Sequence, residues 1–211
     1  MGDTAKRDFD AVARGWDEEP RRVRLAAEVA GAIGRALPLD PEMEALDLGC
    51  GTGLVTLALA PFVKAMDAAD ASAEMLAVLG EKIRAGGHGN VRAFRLDLDG
   101  DAPLGGPYDL VVSSMTLHHV RDVDALLARL FAAVRPGGRV ALADLEPDGG
   151  AFHGENAGVF HFGFAPDDFA RRLARVGFEE VRTSPAATMT KEHAGAPREF
   201  RVFLAVATRP R

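Results

Sequence analysis

Residues 45–60 read Ala45-Leu46-Asp47-Leu48-Gly49-Cys50-Gly51-Thr52-Gly53-Leu54-Val55-Thr56-Leu57-Ala58-Leu59-Ala60. A short apolar run carrying Asp47 ends at Leu48, glycines stand at 49, 51 and 53, and an apolar pattern of helical spacing follows. That is the order of a buried strand, a tight turn and the start of a helix. Glycine in such a turn permits positive φ and lets the backbone come close to a ligand. The helix behind it directs unpaired N–H groups the same way. Dinucleotide sites use Gly-x-Gly-x-x-Gly, whose third glycine lets the helix pack closely. Here the third residue after Gly51 is Leu54, so the spacing is Gly-x-Gly-x-Gly and the dinucleotide fingerprint fails.

The chain around this turn is 211 residues long and 47% hydrophobic. That suits one sizeable core and is short for two. We expect a single domain over 1–211, with a helical cap or lid over 1–40 and an α/β core over 41–211. A formal net charge of −6 with no long basic block argues against nucleic acid as a partner, since that binding rests on neutralising phosphates. Cys50, the single cysteine, cannot form an internal disulfide, which fits a reducing compartment. The N-terminus has no apolar h-region, and no apolar run is long enough to span a bilayer. The expectation is a cytoplasmic protein, monomer or homodimer, with no membrane partner.

N-terminal to the turn, Phe9, Val12 and Trp16 are spaced three and four apart, which puts them on one helical face. Pro20 suits a first helical position, and a helical pattern runs from Arg21 to Leu37. Spacing alone does not separate a lid from a plain cap. C-terminal to the turn, a second strand is expected over Val63 to Ala69, interrupted by Asp67. Asp70 stands at its carboxyl end, where a carboxylate can accept both hydroxyls of a ribose; Asp67 is a competing ribose ligand. Ser72 should cap a helix with Met75, Leu76 and Leu79 on its apolar face.

Val91 to Leu96 alternates as a third strand ending in Asp97-Leu98-Asp99, and Pro107 to Ser114 reads as a fourth. Met115-Thr116-Leu117-His118-His119-Val120 follows, at the strand edge where open α/β sheets bind ligands. A helix from Asp122 to Val134, a strand from Arg139 to Leu145 and a helix from Pro166 to Val176 come next. Two closing strands, Phe178 to Thr183 and Phe200 to Thr208, are expected around a mobile polar linker over Lys191 to Arg198.

The stretch from Asp144 to Phe164 gathers acids, His153 and His161 among four phenylalanines. Converging carboxylates and imidazoles suggest a divalent metal site. Aromatic walls with a few polar groups suggest an acceptor pocket instead. The spacing matches no zinc motif, and the aromatic residues favour the pocket, so no metal is assigned.

Several of these strings resemble, in order, the motifs of class I S-adenosylmethionine-dependent methyltransferases. They are Asp47-x-Gly49-x-Gly51-x-Gly53, Asp70-x-Ser72-x-x-Met75-Leu76, the Asp109-to-Ser113 strand, Leu117-His118-His119-Val120 and Arg135-Pro136-Gly137-Gly138. Phe9-Asp10 to Trp16 is similar to the opening segment of many small-molecule members. The resemblance implies a Rossmann-like, doubly wound sheet of seven strands in the order 3-2-1-4-5-7-6, the last antiparallel. It implies S-adenosylmethionine as cofactor, held by Asp47, Gly49, Cys50, Gly51 and Gly53 at the turn. Asp70 would bind the ribose and Asp97 and Leu98 the adenine, with Asp99 and Asp101 as competing acids; Ala71, Met75 and Ser114 are further cofactor-site residues. His118, His119, His153, His161 and Trp16 are the acceptor-side candidates, and a histidine is a suitable base when the acceptor must lose a proton. The implied reaction is methyl transfer to a small molecule by in-line displacement. A nicotinamide-dependent oxidoreductase and a non-catalytic cofactor-binding module are the alternatives.

Overall fold

Alternation along the first strand, β1 (Glu44–Leu48), decides what lies on each side of it. Leu46 and Leu48 belong to one apolar cluster and Ala45 to the other, with buried Asp47 on the Ala45 side. The computed structural model describes residues 7–211; the first six residues of the expected cap lie outside these. The other strands are β2 (Ala65–Asp70), β3 (Val91–Arg95), β4 (Tyr108–Ser114), β5 (Val134–Leu145), β6 (Glu179–His193) and β7 (Ala196–Thr208). They form one sheet in the order β3-β2-β1-β4-β5-β7-β6. The strands from β3 to β5 pair in parallel, and β7 runs antiparallel to both β5 and β6. The expected topology is the observed one.

Helices cover both faces. On the Ala45 side, α1 (Pro20–Ala36), α2 (Leu54–Leu59) and α3 (Ala73–Gly86) bury Val29, Ile33, Val55, Leu59 and Leu79. On the other side, α4 (Val123–Ala133) and α5 (Pro166–Val176) bury Leu126, Leu127, Leu130, Phe169 and Leu173. Burying a leucine or phenylalanine side chain contributes about 1.5–3 kcal/mol, so these two clusters dominate the stability. Helix ends follow the capping signals. Pro20 opens α1, Ser72 Oγ accepts the Met75 N–H at 3.1 Å, and Gly177 closes α5 at φ 111°.

Two expectations are corrected. The segment 7–19 is not a helix; it makes two short 3-10 turns, Asp10–Val12 and Trp16–Glu18. Phe9 and Trp16 still meet edge-on at 6.0 Å, while Val12 faces outward. The first helix packs on one face of the sheet and buries Val29 and Ile33 there. Residues 191–198 are not a mobile linker. β6 and β7 continue to a tight turn at Ala194 and Gly195, with His193 paired to Ala196. Residues 192–198 are polar because they form the exposed tip of an edge hairpin. Pro185 is tolerated within β6 because the register shifts there and β6 is an edge strand.

Candidate active site

The carboxyl ends of β1, β2, β3 and β4, with the loop after β5, open into one cavity of about 530 Å³. At the turn after β1, the three glycines have φ values of 73°, 53° and 82°, a region that costs other residues energy. A Cβ at Gly49 would overlap Thr116, and one at Gly53 would overlap Leu79. A Cβ at Gly51 meets only Met75 Sδ, at 3.9 Å. Gly49 and Gly51 line the cavity; Gly53 does not, and its place is at the N-cap of α2 against α3.

Acidic groups surround this turn. Asp70 Oδ2 accepts the Gly51 N–H at 2.8 Å and its Oδ1 the Ser72 N–H at 2.9 Å. Burial raises the pKa of Asp70. Asp47 is fully buried and takes a 2.6 Å hydrogen bond from the Thr56 hydroxyl. Burial, with a smaller push from the Asp70 charge, lifts its pKa to about 7. Asp97 accepts the Asp99 N–H at 3.1 Å and lines the cavity with Leu98, Ala71, Met75, Cys50 and Ser114. Asp67 is elsewhere. It binds Arg92 through two bonds of 2.9 and 2.6 Å and accepts the Tyr108 hydroxyl at 2.8 Å, which removes it as a ribose ligand.

The opposite end of the cavity holds three imidazoles. A short turn, Leu117–His119, presents two of them, and His153 comes from the loop after β5. Arg7 Nη1 donates to His153 Nδ1 at 3.1 Å, which puts the His153 proton on Nε2. That proton points at His118 Nε2, 3.1 Å away. His118 therefore carries its proton on Nδ1 and donates it to buried Asp144 at 2.6 Å. His119 Nδ1 donates to the Gly158 carbonyl at 2.7 Å, leaving Nε2 as an acceptor. Burial and the adjacent His118 lower the pKa of His119 to about 4. Burial and both neighbouring imidazoles lower that of His153 to about 3. Both rings are neutral near pH 7.

Ring nitrogens of His118, His119 and His153 lie within 4.8 Å of one another, close enough for a shared metal ion. The hydrogen bonds oppose that use. Arg7 occupies one nitrogen of His153, the proton occupies the other, and a guanidinium repels a cation. Acids of the 144–164 loop shape the chain instead. Asp148 accepts the N–H groups of Gly150 and Phe152 at 3.0 and 2.6 Å. His161 lies outside the cavity, bonded to the Val120 carbonyl at 2.9 Å and tilted against Phe164. Its role is to hold the loop, so it leaves the acceptor-side set. Phe152 lines the cavity, while Phe162 is exposed.

Some cavity residues escaped sequence reasoning. Met189 and Lys191 reach it from β6, and Arg22, Leu25 and Ala26 from α1. The period-two string Ala187, Met189, Lys191 carried a readable strand signal; nothing local placed it beside the histidines. Lys191 Nζ sits 3.4 Å over the Phe152 ring and donates to the Phe152 carbonyl at 3.0 Å. Burial, then Arg21, Arg22 and Arg7, bring its pKa down to about 8. Arg22 stacks 3.9 Å over Trp16. The cap is tied to the turn by Asp17, which accepts the Thr52 hydroxyl at 2.6 Å, and by Asp10, which accepts that of Ser72.

A family described as "Methyltransferase domain" matches residues 21–183. An uncharacterized methyltransferase of Schizosaccharomyces pombe is 36% identical over 139 residues, covering 59% of this chain and 49% of that protein. The chain spans about half or less of the first curated relatives it matches. Among solved structures, the YcgJ protein of Bacillus subtilis superposes with a TM-score of 0.74 over 88% of this chain and 99% of that one, at 15% identity. Phosphoethanolamine N-methyltransferase 2 of Haemonchus contortus, in complex with S-adenosyl-L-methionine, gives 0.70 over 97% of this chain and 60% of that one, at 16% identity.

Proposed function

Because the chain belongs to the class I S-adenosylmethionine-dependent methyltransferases, we propose that it transfers a methyl group from S-adenosylmethionine to a small-molecule acceptor. The observation that carries this reading is the open face of Gly51. Of the three turn glycines, it alone has free space where a side chain would be, and that space is in the cavity beside Asp70. The residues fit the cofactor. Asp70 has accepted one N–H on each oxygen, and each oxygen keeps a lone pair for a ribose hydroxyl. Asp97 and Leu98 offer the adenine edge an acceptor and a backbone N–H. Asp47 is poised near neutrality, and a cationic ligand beside it would favour its carboxylate form.

When bound, the cofactor supplies an activated methyl group on sulfur, open to in-line displacement. The chain contributes position and a dry site; orienting two reactants is worth roughly 7–11 kcal/mol of barrier. His119 presents a neutral Nε2 to the cavity, where it can accept a hydrogen bond or a proton from the methyl acceptor; burial makes it a weaker base than a free imidazole. Asp144 and His118 hold His153 in its tautomer.

Calorimetry with S-adenosylhomocysteine and with NAD tests the cofactor, and methyl transfer from labelled S-adenosylmethionine into a metabolite extract tests the chemistry. We expect S-adenosylhomocysteine to bind, NAD not to bind, and label to appear in a small molecule. Binding of NAD in preference would return the oxidoreductase reading. Binding without any transfer would leave a cofactor-holding module.

A further inference from the structure

Four cations, Arg7, Arg21, Arg22 and Lys191, line the cavity, as do the acids Asp8 and Glu19; Arg7 touches His153, and the three arginines are close enough to Lys191 to act on its charge. Arg21 is neutralised by Glu19, with bonds of 2.9 and 3.0 Å. The other three make no ion pair with a carboxylate among the described residues. Arg7 donates to His153 and to the Glu155 carbonyl. Arg22 lies on the Trp16 face and donates to the Trp16 carbonyl. Lys191 lies on the Phe152 face and donates to the Phe152 carbonyl. Aromatic faces and carbonyls fix where these charges point and leave their charge intact.

Arg21 and Arg22 stand in the first turn of α1, where the helix dipole opposes cations; the carboxylate of Glu19, the N-cap, accepts the Arg21 N–H and offsets part of that cost. The cations also repel one another, which is part of what holds the Lys191 pKa down. An oxyanion entering between them would relieve that repulsion.

We infer that the methyl acceptor is a small anion whose carboxylate or phosphate group is bound by Arg22, Lys191 and Arg7 at the histidine end of the cavity. The inference rests on the methyl-transfer reading for the word acceptor, and on the cavity's own charges for the word anion. Guanidinium groups suit both oxyanions through paired N–H donors. The neutral His119 stands beside the cations, so the same pocket can anchor the anionic group and deprotonate a second group on the same molecule.

Calorimetry on the full chain saturated with S-adenosylhomocysteine tests it, with succinate, tricarballylate, glycerol 2-phosphate and neutral succinamide as titrants. At least one oxyanion should bind, and succinamide should not. The carboxylate and phosphate titrants separate the two sources. Lys191→Gln and Arg22→Gln should each weaken oxyanion binding roughly tenfold, the loss of one charge-assisted hydrogen bond, with affinity for S-adenosylhomocysteine unchanged. No binding by any of the three oxyanions, oxyanion binding by both variants as tight as by the unaltered protein, or succinamide binding as tight as that of the oxyanions would overturn the inference. Absence of S-adenosylhomocysteine binding to the unaltered protein is a separate result and counts against the methyl-transfer reading instead.

Discussion

The glycines of the turn carry different burdens, and single substitutions should separate them. All three have positive φ, which costs an alanine roughly 1–2 kcal/mol. At Gly49 and Gly53 the added methyl also overlaps Thr116 or Leu79, a further cost of about 1–3 kcal/mol. Gly49→Ala and Gly53→Ala should therefore lower the melting temperature most. Gly51→Ala should melt closer to the unaltered protein yet lose affinity for S-adenosylhomocysteine, because its methyl occupies ligand space. Calorimetry showing undiminished affinity in Gly51→Ala would remove the turn from the binding site. Asp47 yields a second prediction. Its pKa rises from 3.8 to about 7 on folding, so its carboxyl favours the folded chain while protonated. That contribution is complete below pH 3.8 and is lost as pH rises toward 7, at about 1.4 kcal/mol per unit. Asp47→Asn keeps the Thr56 bond and abolishes the titration. The melting temperature of the ligand-free protein minus that of Asp47→Asn should fall between pH 4 and pH 7, whatever the histidines contribute to both. A flat difference would show that Asp47 is ionised throughout. Asp47 and the glycines were legible in the sequence because strand, turn and helix lie within sixteen residues. Arg22 and Lys191 were not, since 169 positions separate them and no local pattern records that they meet.

At the scale of elements, sequence periodicity was a good guide wherever packing made one face apolar. α3, α4, α5 and the parallel strands follow their patterns because each buries apolar side chains; β5 starts earlier than expected, at Val134, and runs through the Arg135-to-Gly138 stretch read as a stop. It failed for the β6–β7 hairpin tip, where strand pairing continues with no core behind it, so exposed polar residues read as a loop. It also failed for residues 7–19, where Phe9 and Trp16 meet through two 3-10 turns and not along one helix. The hairpin turn shows what holds the tip. Ala194 and Gly195 have φ values of 51° and 80°, the pattern of a two-residue turn that favours Asn-Gly. Alanine is a poor occupant of the first position. Ala194→Asn should stabilise the fold by up to about 1 kcal/mol, because Asn enters left-handed geometry at less cost than Ala, raising the melting temperature by up to roughly 4 °C for a chain of this size. Because Lys191 lies three residues before this turn, a firmer tip should leave cofactor affinity unaltered. A lower melting temperature would mean that the turn relaxes away from left-handed geometry.

Across the whole molecule, the cap and the sheet are joined in a manner unlike the rest of the fold. Helices and strands are held by apolar burial, whereas in the segment 7–19 Ala13 alone is buried. Its ties are polar or aromatic, and they land on the cavity. Asp17 holds Thr52 and pairs with Lys82, Asp10 holds Ser72 and the Glu74 N–H, and Phe9 meets the His119 ring edge-on at 5.1 Å. Segments with few buried apolar contacts open at low free energy, independently of global unfolding. Thr52 and Ser72 flank the Gly51–Asp70 contact that is proposed to hold the cofactor, so a ligand that steadies those loops also steadies the cap's anchors. Binding and cap closure are then linked, and the linkage is reciprocal. Amide hydrogen exchange should show residues 7–19 exchanging much faster than α1 and β4 in the free protein, and slowing when S-adenosylhomocysteine is added. Thr52→Val removes one anchor without filling the cavity; it should speed exchange in the cap and leave β4 unchanged. If the cap amides are already as protected as those of β4, or if the ligand leaves them unchanged, the segment is a fixed cover and the cavity is filled by another route.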